Sequence, residues 1–260
     1  MYSKIALTIG GSDSGGGAGI QADLKTFMSL KVHGCSVITC VTAQNSRSVI
    51  DVEPISIKTL NNQLKALFSD FKISALKTGM LFNEGIISNT SKRISTYSIP
   101  KVIDPVMFTR SGDKLLEDIS IDAYKKLLIP QADILTPNIF EANLLSNLDI
   151  KDANDVEKAG KNILKYGCKA VLIKGGGLKN LKGKDFFINC DGKRYWLEHE
   201  YIETTNTHGS GCTLSAAICS NIALGLDLLE SIKRAKSFVE ISLRNSYQIG
   251  LGPGPLGHMH

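Results

Sequence analysis

No C-x-x-C pair and no zinc-type spacing connects any of the six cysteines, which stand at 35, 40, 168, 190, 212 and 219. Thiol-redox and structural-zinc classes therefore lose their marker, and reduced thiols in a cytoplasmic chain are expected. No continuous apolar run is long enough to span a membrane, and a candidate core strand begins within three residues of Met1. The expectation is a soluble chain with neither signal peptide nor transmembrane helix. The pattern G-x-x-x-x-G-K-[ST] occurs nowhere, and the glycines near the N-terminus do not fit G-x-G-x-x-G, so P-loop and dinucleotide readings weaken. Basic runs are absent too. The balance of 30 Lys plus Arg against 25 Asp plus Glu leaves +5, a diffuse bias that suits small anions better than a nucleic-acid groove. Linkers, internal repeats and low-complexity tracts are missing, which makes one domain over 1–260 the simplest organisation.

What is present centres on residues 207–213, Thr-His-Gly-Ser-Gly-Cys-Thr, which run into an apolar, small-residue helix. Amides at a helix start have no intrahelical acceptor and carry the positive end of the dipole, so Gly209, Ser210 and Gly211 form a natural anion seat. The same field favours a thiolate, which makes Cys212 a candidate activated group; a cysteine packed at the start of a buried helix is the plainer alternative.

The rest of the chain alternates strand and helix, which predicts a mostly parallel central sheet with helices on both faces. Candidate strands at 4–9, 35–42, 73–77, 102–106, 132–136 and 169–174 each end in polar or glycine-rich residues, and a hairpin or meander is expected over 185–203. In a parallel sheet those ends share one edge, where ligands bind. Asp23 lies one turn into the first helix, as a hydrogen-bond partner or an ordinary acid near a helix start. Gln44 ends the second strand, and its amide can both donate to and accept from a heteroaromatic ring. Asn138 and Glu141 stand three apart at a helix start; the pair suits a hydrated magnesium ion, and the same spacing also makes a capping box. The polar stretch 108–114 could fold as a lid or lie exposed, and the tail histidines 258 and 260 are expected in solvent. An anion seat, acids for a metal and a small polar pocket together suit phosphoryl transfer, with Cys212 taking a proton from an acceptor hydroxyl.

Several stretches, taken together and in order, closely resemble the hydroxymethylpyrimidine/phosphomethylpyrimidine kinases, the thiamine-pathway branch of the ribokinase-like superfamily. They are residues 10–27 (Gly-Gly-Ser-Asp-Ser-Gly-Gly-Gly-Ala-Gly-Ile-Gln-Ala-Asp-Leu-Lys-Thr-Phe), 41–45 (Val-Thr-Ala-Gln-Asn), 77–81 (Lys-Thr-Gly-Met-Leu), 104–107 (Asp-Pro-Val-Met), 136–138 (Thr-Pro-Asn), 174–176 (Lys-Gly-Gly), 207–213 and the tail at 254–258. The resemblance covers essentially the whole chain. It implies a ribokinase-like α/β fold, ATP and Mg2+ as cofactors, a cytoplasmic homodimer, and phosphorylation of 4-amino-5-hydroxymethyl-2-methylpyrimidine and then of its monophosphate. Carried over by position, it places Gly11, Asp23, Gln44 and Met80 on the pyrimidine, and Asp104, Asn138 and Glu141 in the magnesium and phosphate region. Lys174, Thr207 and Lys236 face ATP, while Gly209, Ser210 and Gly211 form the anion hole around Cys212.

Three departures from the family pattern stand out. Gly15 replaces a common serine, Ser210 a common threonine and Phe140 a common proline; the last is expected to alter nucleotide packing. Pyridoxal kinase of the same superfamily is the nearest alternative, with Met80 and Arg110 tilting the choice towards the pyrimidine. A catalytically silent pyrimidine-binding module is the alternative from another class.

Overall fold

A computed structural model describes residues 4–108 and 118–260. All of the expected lid beyond Phe108, Arg110 included, lies outside the described residues.

Alternation of apolar side chains builds the architecture. On β1 (Ile5–Asp13), Leu7 and Ile9 are buried towards one face and Ala6 towards the other. The same two-residue period places Leu76, Ile103, Leu135, Val171 and Ile173 in the first core and Ala75, Val102, Ile134, Ala170 and Leu172 in the second. Strands apolar on both faces are what a parallel sheet covered on both sides requires. The remaining strands are β2 (His33–Gln44), β3 (Val49–Pro54), β4 (Ala75–Thr78), β5 (Lys101–Ile103), β6 (Ile134–Leu135), β7 (Ala170–Lys174), β8 (Lys184–Asn189) and β9 (Arg194–Glu198). All nine belong to one sheet in the order β3-β2-β1-β4-β5-β6-β7-β8-β9. The run from β2 to β7 is parallel, with antiparallel strands added at both edges.

Helices α2 (Ile57–Asp70), α3 (Glu84–Ile94), α4 (Asp118–Ala123), α5 (Ile139–Ser146) and α6 (Ala153–Leu164) supply the first core. Helices α1 (Gly19–Ser29), α7 (Ser210–Ala223) and α8 (Leu228–Arg244) supply the second. The expected sheet with helices on both faces is therefore the one that forms. Because β2 lies on one side of β1 and β4 on the other, the strand order reverses at β1, and the crevice beyond β1 and β4 is the switch point where such sheets bind ligands.

Two details differ from the sequence reading. β1 continues through the first glycines to Asp13, pairing with β2 through a register shift between Gly10 and Ser12. Edge strand β3 was not foreseen, because its mixed residues carry no clean alternation. The tail also departs from expectation: His258 is buried, its ring 2.9 Å from the Thr213 hydroxyl, and burial pushes its pKa down to about 4. Main-chain bonds from His208 N–H to the Gly254 carbonyl (3.1 Å) and from Gly257 N–H to the Ser242 carbonyl (3.0 Å) hold that tail against α7 and α8.

Candidate active site

Helix α7 opens without a side-chain cap and without an acidic residue in its first turn. Of the three residues expected to offer amides to an anion, Gly209, Ser210 and Gly211, the Ser210 N–H is taken by the Thr207 carbonyl at 3.2 Å. Gly209 has φ +83, and a Cβ there would overlap the Gly17 carbonyl oxygen, so only glycine lets the two loops touch. Lys174, the last residue of β7, brings its ammonium to 3.3 Å from where a Gly211 side chain would begin. An ammonium facing a helix start makes one compact seat for an anion.

Cys212 lies in the first turn of α7, but its thiol is not the thiolate expected from the helix dipole alone. Burial pushes its pKa up to about 11; Lys77 pulls against that rise, Asp23 and Asp104 add to it, and a hydrogen bond from the Gly19 backbone opposes it. Desolvation and two nearby carboxylates outweigh the helix start. The other five cysteines are also free, with Cys35, Cys40, Cys168 and Cys219 buried and Cys190 exposed.

Asp104, just past β5, is buried and accepts three bonds. Lys174 Nζ (3.1 Å) and the Thr136 hydroxyl (3.1 Å) reach Oδ1, and the Ser215 hydroxyl (3.0 Å) reaches Oδ2. Asn138 and Glu141 form the capping box that their spacing allowed: Asn138 Oδ1 accepts from the Glu141 N–H at 2.9 Å, and Glu141 Oε2 from the Asn138 N–H at 2.8 Å. Glu141 Oε1 takes the Met107 N–H at 3.3 Å. Burial pushes the Glu141 carboxyl up to about 7; Lys174 and these amides pull it down, and Asp104 pushes it further up. Among the described residues no group of three His, Cys, Asp or Glu is arranged to hold a metal. Two buried acids served by one lysine nonetheless fit a hydrated magnesium ion shared with phosphate oxygens, since magnesium keeps its waters and takes one or two carboxylates rather than a full protein cage.

Beneath the crevice, Asp23 and Lys77 form an ion pair at 2.9 Å with both side chains 1% exposed, and the Thr8 hydroxyl donates to the same carboxylate at 2.6 Å. Asp23, expected on the pyrimidine, is thus committed to Lys77 and Thr8 from below. Burial works against charge on Lys77, but the Asp23 carboxylate, with Cys212 and Asp104, holds its pKa well above the ordinary lysine value. Lys77 is a participant that sequence reading passed over; a lysine inside an otherwise apolar strand was the available signal.

Gly11 and Met80 line the switch point from β1 and from the loop after β4. A Cβ on Gly11 would lie 3.0 Å from Cys40 Sγ and 3.9 Å from Met80 Cβ, so glycine keeps this wall open. Gln44 ends β2 half-buried, its Oε1 3.3 Å from the Thr42 hydroxyl, which donates to the Ser12 carbonyl at 2.9 Å. Thr207 stands before the loop, its carbonyl accepting the Ser210 N–H at 3.2 Å. Lys236 is placed differently from the rest: its ammonium is buried against the Asp185 carboxylate. Asp185 in turn accepts the Gly175 N–H at 3.1 Å. Lys236 therefore braces the turn that follows Lys174. Phe140 is exposed, its ring 6.3 Å from that of Phe108.

Among the described residues, the crevice presents charge neutralisation beside the Cys212 thiol, with no nucleophile-and-base triad and no redox pair. That is the demand of phosphoryl transfer, and the protein is a small-molecule phosphotransferase of the ribokinase-like α/β class. Residues 13–257 match the family model for phosphomethylpyrimidine kinase, and the chain belongs to that family. It is 49% identical over 262 residues to the hydroxymethylpyrimidine/phosphomethylpyrimidine kinase of Synechococcus elongatus, covering 100% of this chain and 99% of the relative. Among solved structures it resembles the ADP complex of Bacillus subtilis pyridoxal kinase, with TM-score 0.92, 38% identity, and 98% and 97% of the two chains covered. It also resembles the phosphomethylpyrimidine kinase of Clostridium difficile, with TM-score 0.82, 38% identity, and 92% and 98% covered.

Proposed function

We propose that the chain transfers the γ-phosphoryl group of ATP to the hydroxymethyl oxygen of 4-amino-5-hydroxymethyl-2-methylpyrimidine, and then a second phosphoryl group to the monophosphate. The observation that carries this reading is the placement of Cys212 at the opening of α7, within the field of Lys77 and next to the seat formed by Lys174 and Gly211. An acceptor hydroxyl at that corner would lie between a proton acceptor and the transferring group. The bond from the γ-phosphorus to the ADP oxygen breaks, the bond to the alcohol oxygen forms, and the hydroxyl proton goes to Cys212 in its thiolate form, the minor form at neutral pH. Lys174 and the amides of residues 209–212 take the charge that spreads over the phosphoryl oxygens. Asp104 and Glu141 would hold magnesium through its waters, and the ion supplies further neutralisation of phosphate charge when bound. Gly11, Gln44 and Met80 frame the ring, with Asp23 fixing the floor through Lys77. Thr207 borders the nucleotide side, which Lys236 supports through Asp185.

Pyridoxal is kept as a second candidate acceptor because a pyridoxal kinase, 38% identical and matching 98% of this chain, is among the similar structures. With ATP, magnesium and each alcohol supplied separately, kcat/KM is expected to be larger for the pyrimidine. Turnover of pyridoxal alone would transfer the assignment to pyridoxal, and absence of ADP release with either alcohol would leave a silent binding module.

We propose further that the chain is one ribokinase-like domain working in the cytoplasm as a homodimer. No helix among the described residues is long and apolar enough to cross a membrane. β3 lies at the sheet edge with Ile50 75% exposed, a strand available for pairing with a second copy. Light scattering should give the mass of two chains, and Ile50→Lys should shift it to one. A mass of one chain for the unaltered protein would refute the dimer.

A further inference from the structure

Asp13 ends β1, and three backbone N–H groups of the loop that follows bind its carboxylate. Gly15 donates to Oδ1 at 2.8 Å, while Gly17 and Ala18 donate to Oδ2 at 3.0 and 2.8 Å. The fourth donor comes from the other glycine loop: His208 Nε2 lies 3.0 Å from Oδ2. A carboxylate gathering N–H donors offers no proton, so Nε2 is the protonated ring nitrogen. Burial works against charge on Asp13, yet these bonds, that of His208 foremost, hold its carboxyl below the ordinary value.

The loops are in direct contact as well. A Cβ on Gly17 would overlap the His208 ring, and one on Gly209 would overlap the Gly17 carbonyl. His208 stands immediately before the anion seat, and Gln44 Nε2 lies 3.5 Å from its Nε2. The Gln44 backbone is fixed from the same loop: its N–H and carbonyl both bond the Ser14 hydroxyl at 2.8 Å.

We infer that Asp13 and His208 are positioning residues which clamp the acceptor-side glycine loop to the phosphoryl seat. The clamp fixes where the acceptor hydroxyl meets the seat. The acceptor half of this inference rests on the kinase reading above. The joining of the two loops does not.

The experiment combines steady-state kinetics with hydrogen exchange on the full-length protein. In His208→Ala, kcat for the pyrimidine alcohol falls about tenfold or more and the acceptor KM rises several-fold, while the ATP KM stays within about twofold. Exchange accelerates together in residues 14–18 and 209–213. His208→Gln, whose amide NH2 can still donate to Asp13, recovers most of the loss. A folded His208→Ala protein that keeps kcat and acceptor KM overturns the inference; so does exchange that accelerates in one loop only, or a glutamine variant no better than alanine. Should His208→Ala fail to fold, Asp13→Asn is judged by the same kinetic and exchange criteria. If the unaltered protein phosphorylates neither alcohol, the proposed function fails, and the exchange result alone still decides the clamp.

Discussion

Cys212→Ala lowers kcat by about 10²–10⁴-fold, the range that a positioned general base contributes, and leaves the acceptor KM within about threefold. Position alone would survive the substitution, since the amides of residues 209–212 belong to the main chain. The pH dependence follows from the raised thiol pKa. With that value at about 11, the free protein carries mostly thiol at neutral pH, and the thiolate population grows about tenfold per pH unit until that value is approached. Activity of the parent should therefore climb between pH 7 and 10, and the slope should vanish in Cys212→Ala. Site-resolved alkylation gives the same information without turnover: exposed Cys190 supplies an internal reference, and Cys212 should react slowly at pH 7 and faster as pH rises. Parent-like kcat in the alanine variant would remove the thiol from the reaction.

Lys77→Met destabilises the protein by about 3–5 kcal/mol, because it leaves the Asp23 carboxylate buried with its ammonium partner gone. Both side chains are 1% exposed, so water cannot replace the lost charge. The double variant Lys77→Met with Asp23→Leu should recover much of that loss, since neither buried charge remains. Urea unfolding measures both; a single variant within about 1 kcal/mol of the parent would show that the pair is not what holds the floor of the crevice. The same substitution removes the group that most lowers the Cys212 pKa, so Cys212 alkylation should slow further.

Alternation and strand ends were readable in the sequence because they depend on local periodicity. Glycine loops were readable too: Gly209 and Gly211 sit where the chain must pass close to Gly17 and Lys174. The capping box of Asn138 and Glu141 was visible as one of two readings of a three-residue spacing. Partnerships across long separations were not visible. Lys77 on β4 meets Asp23 on α1, and His208 before α7 meets Asp13 at the end of β1, only because the fold brings distant parts of the chain together. For the same reason Lys236, expected beside ATP, is found braced on Asp185, and His258, expected in solvent, is buried against α7. The Cys212 thiol shows the limit of a one-element argument. A helix start favours thiolate, but carboxylates brought in from α1 and the end of β5, together with burial, reverse the balance.

The measurement that tests the account most directly is phosphorus NMR of a reaction containing the purified protein, ATP, magnesium and 4-amino-5-hydroxymethyl-2-methylpyrimidine. The account predicts a phosphomonoester of the pyrimidine that appears with ADP and is then converted to a diphosphate. Release of inorganic phosphate with the alcohol unchanged would contradict it.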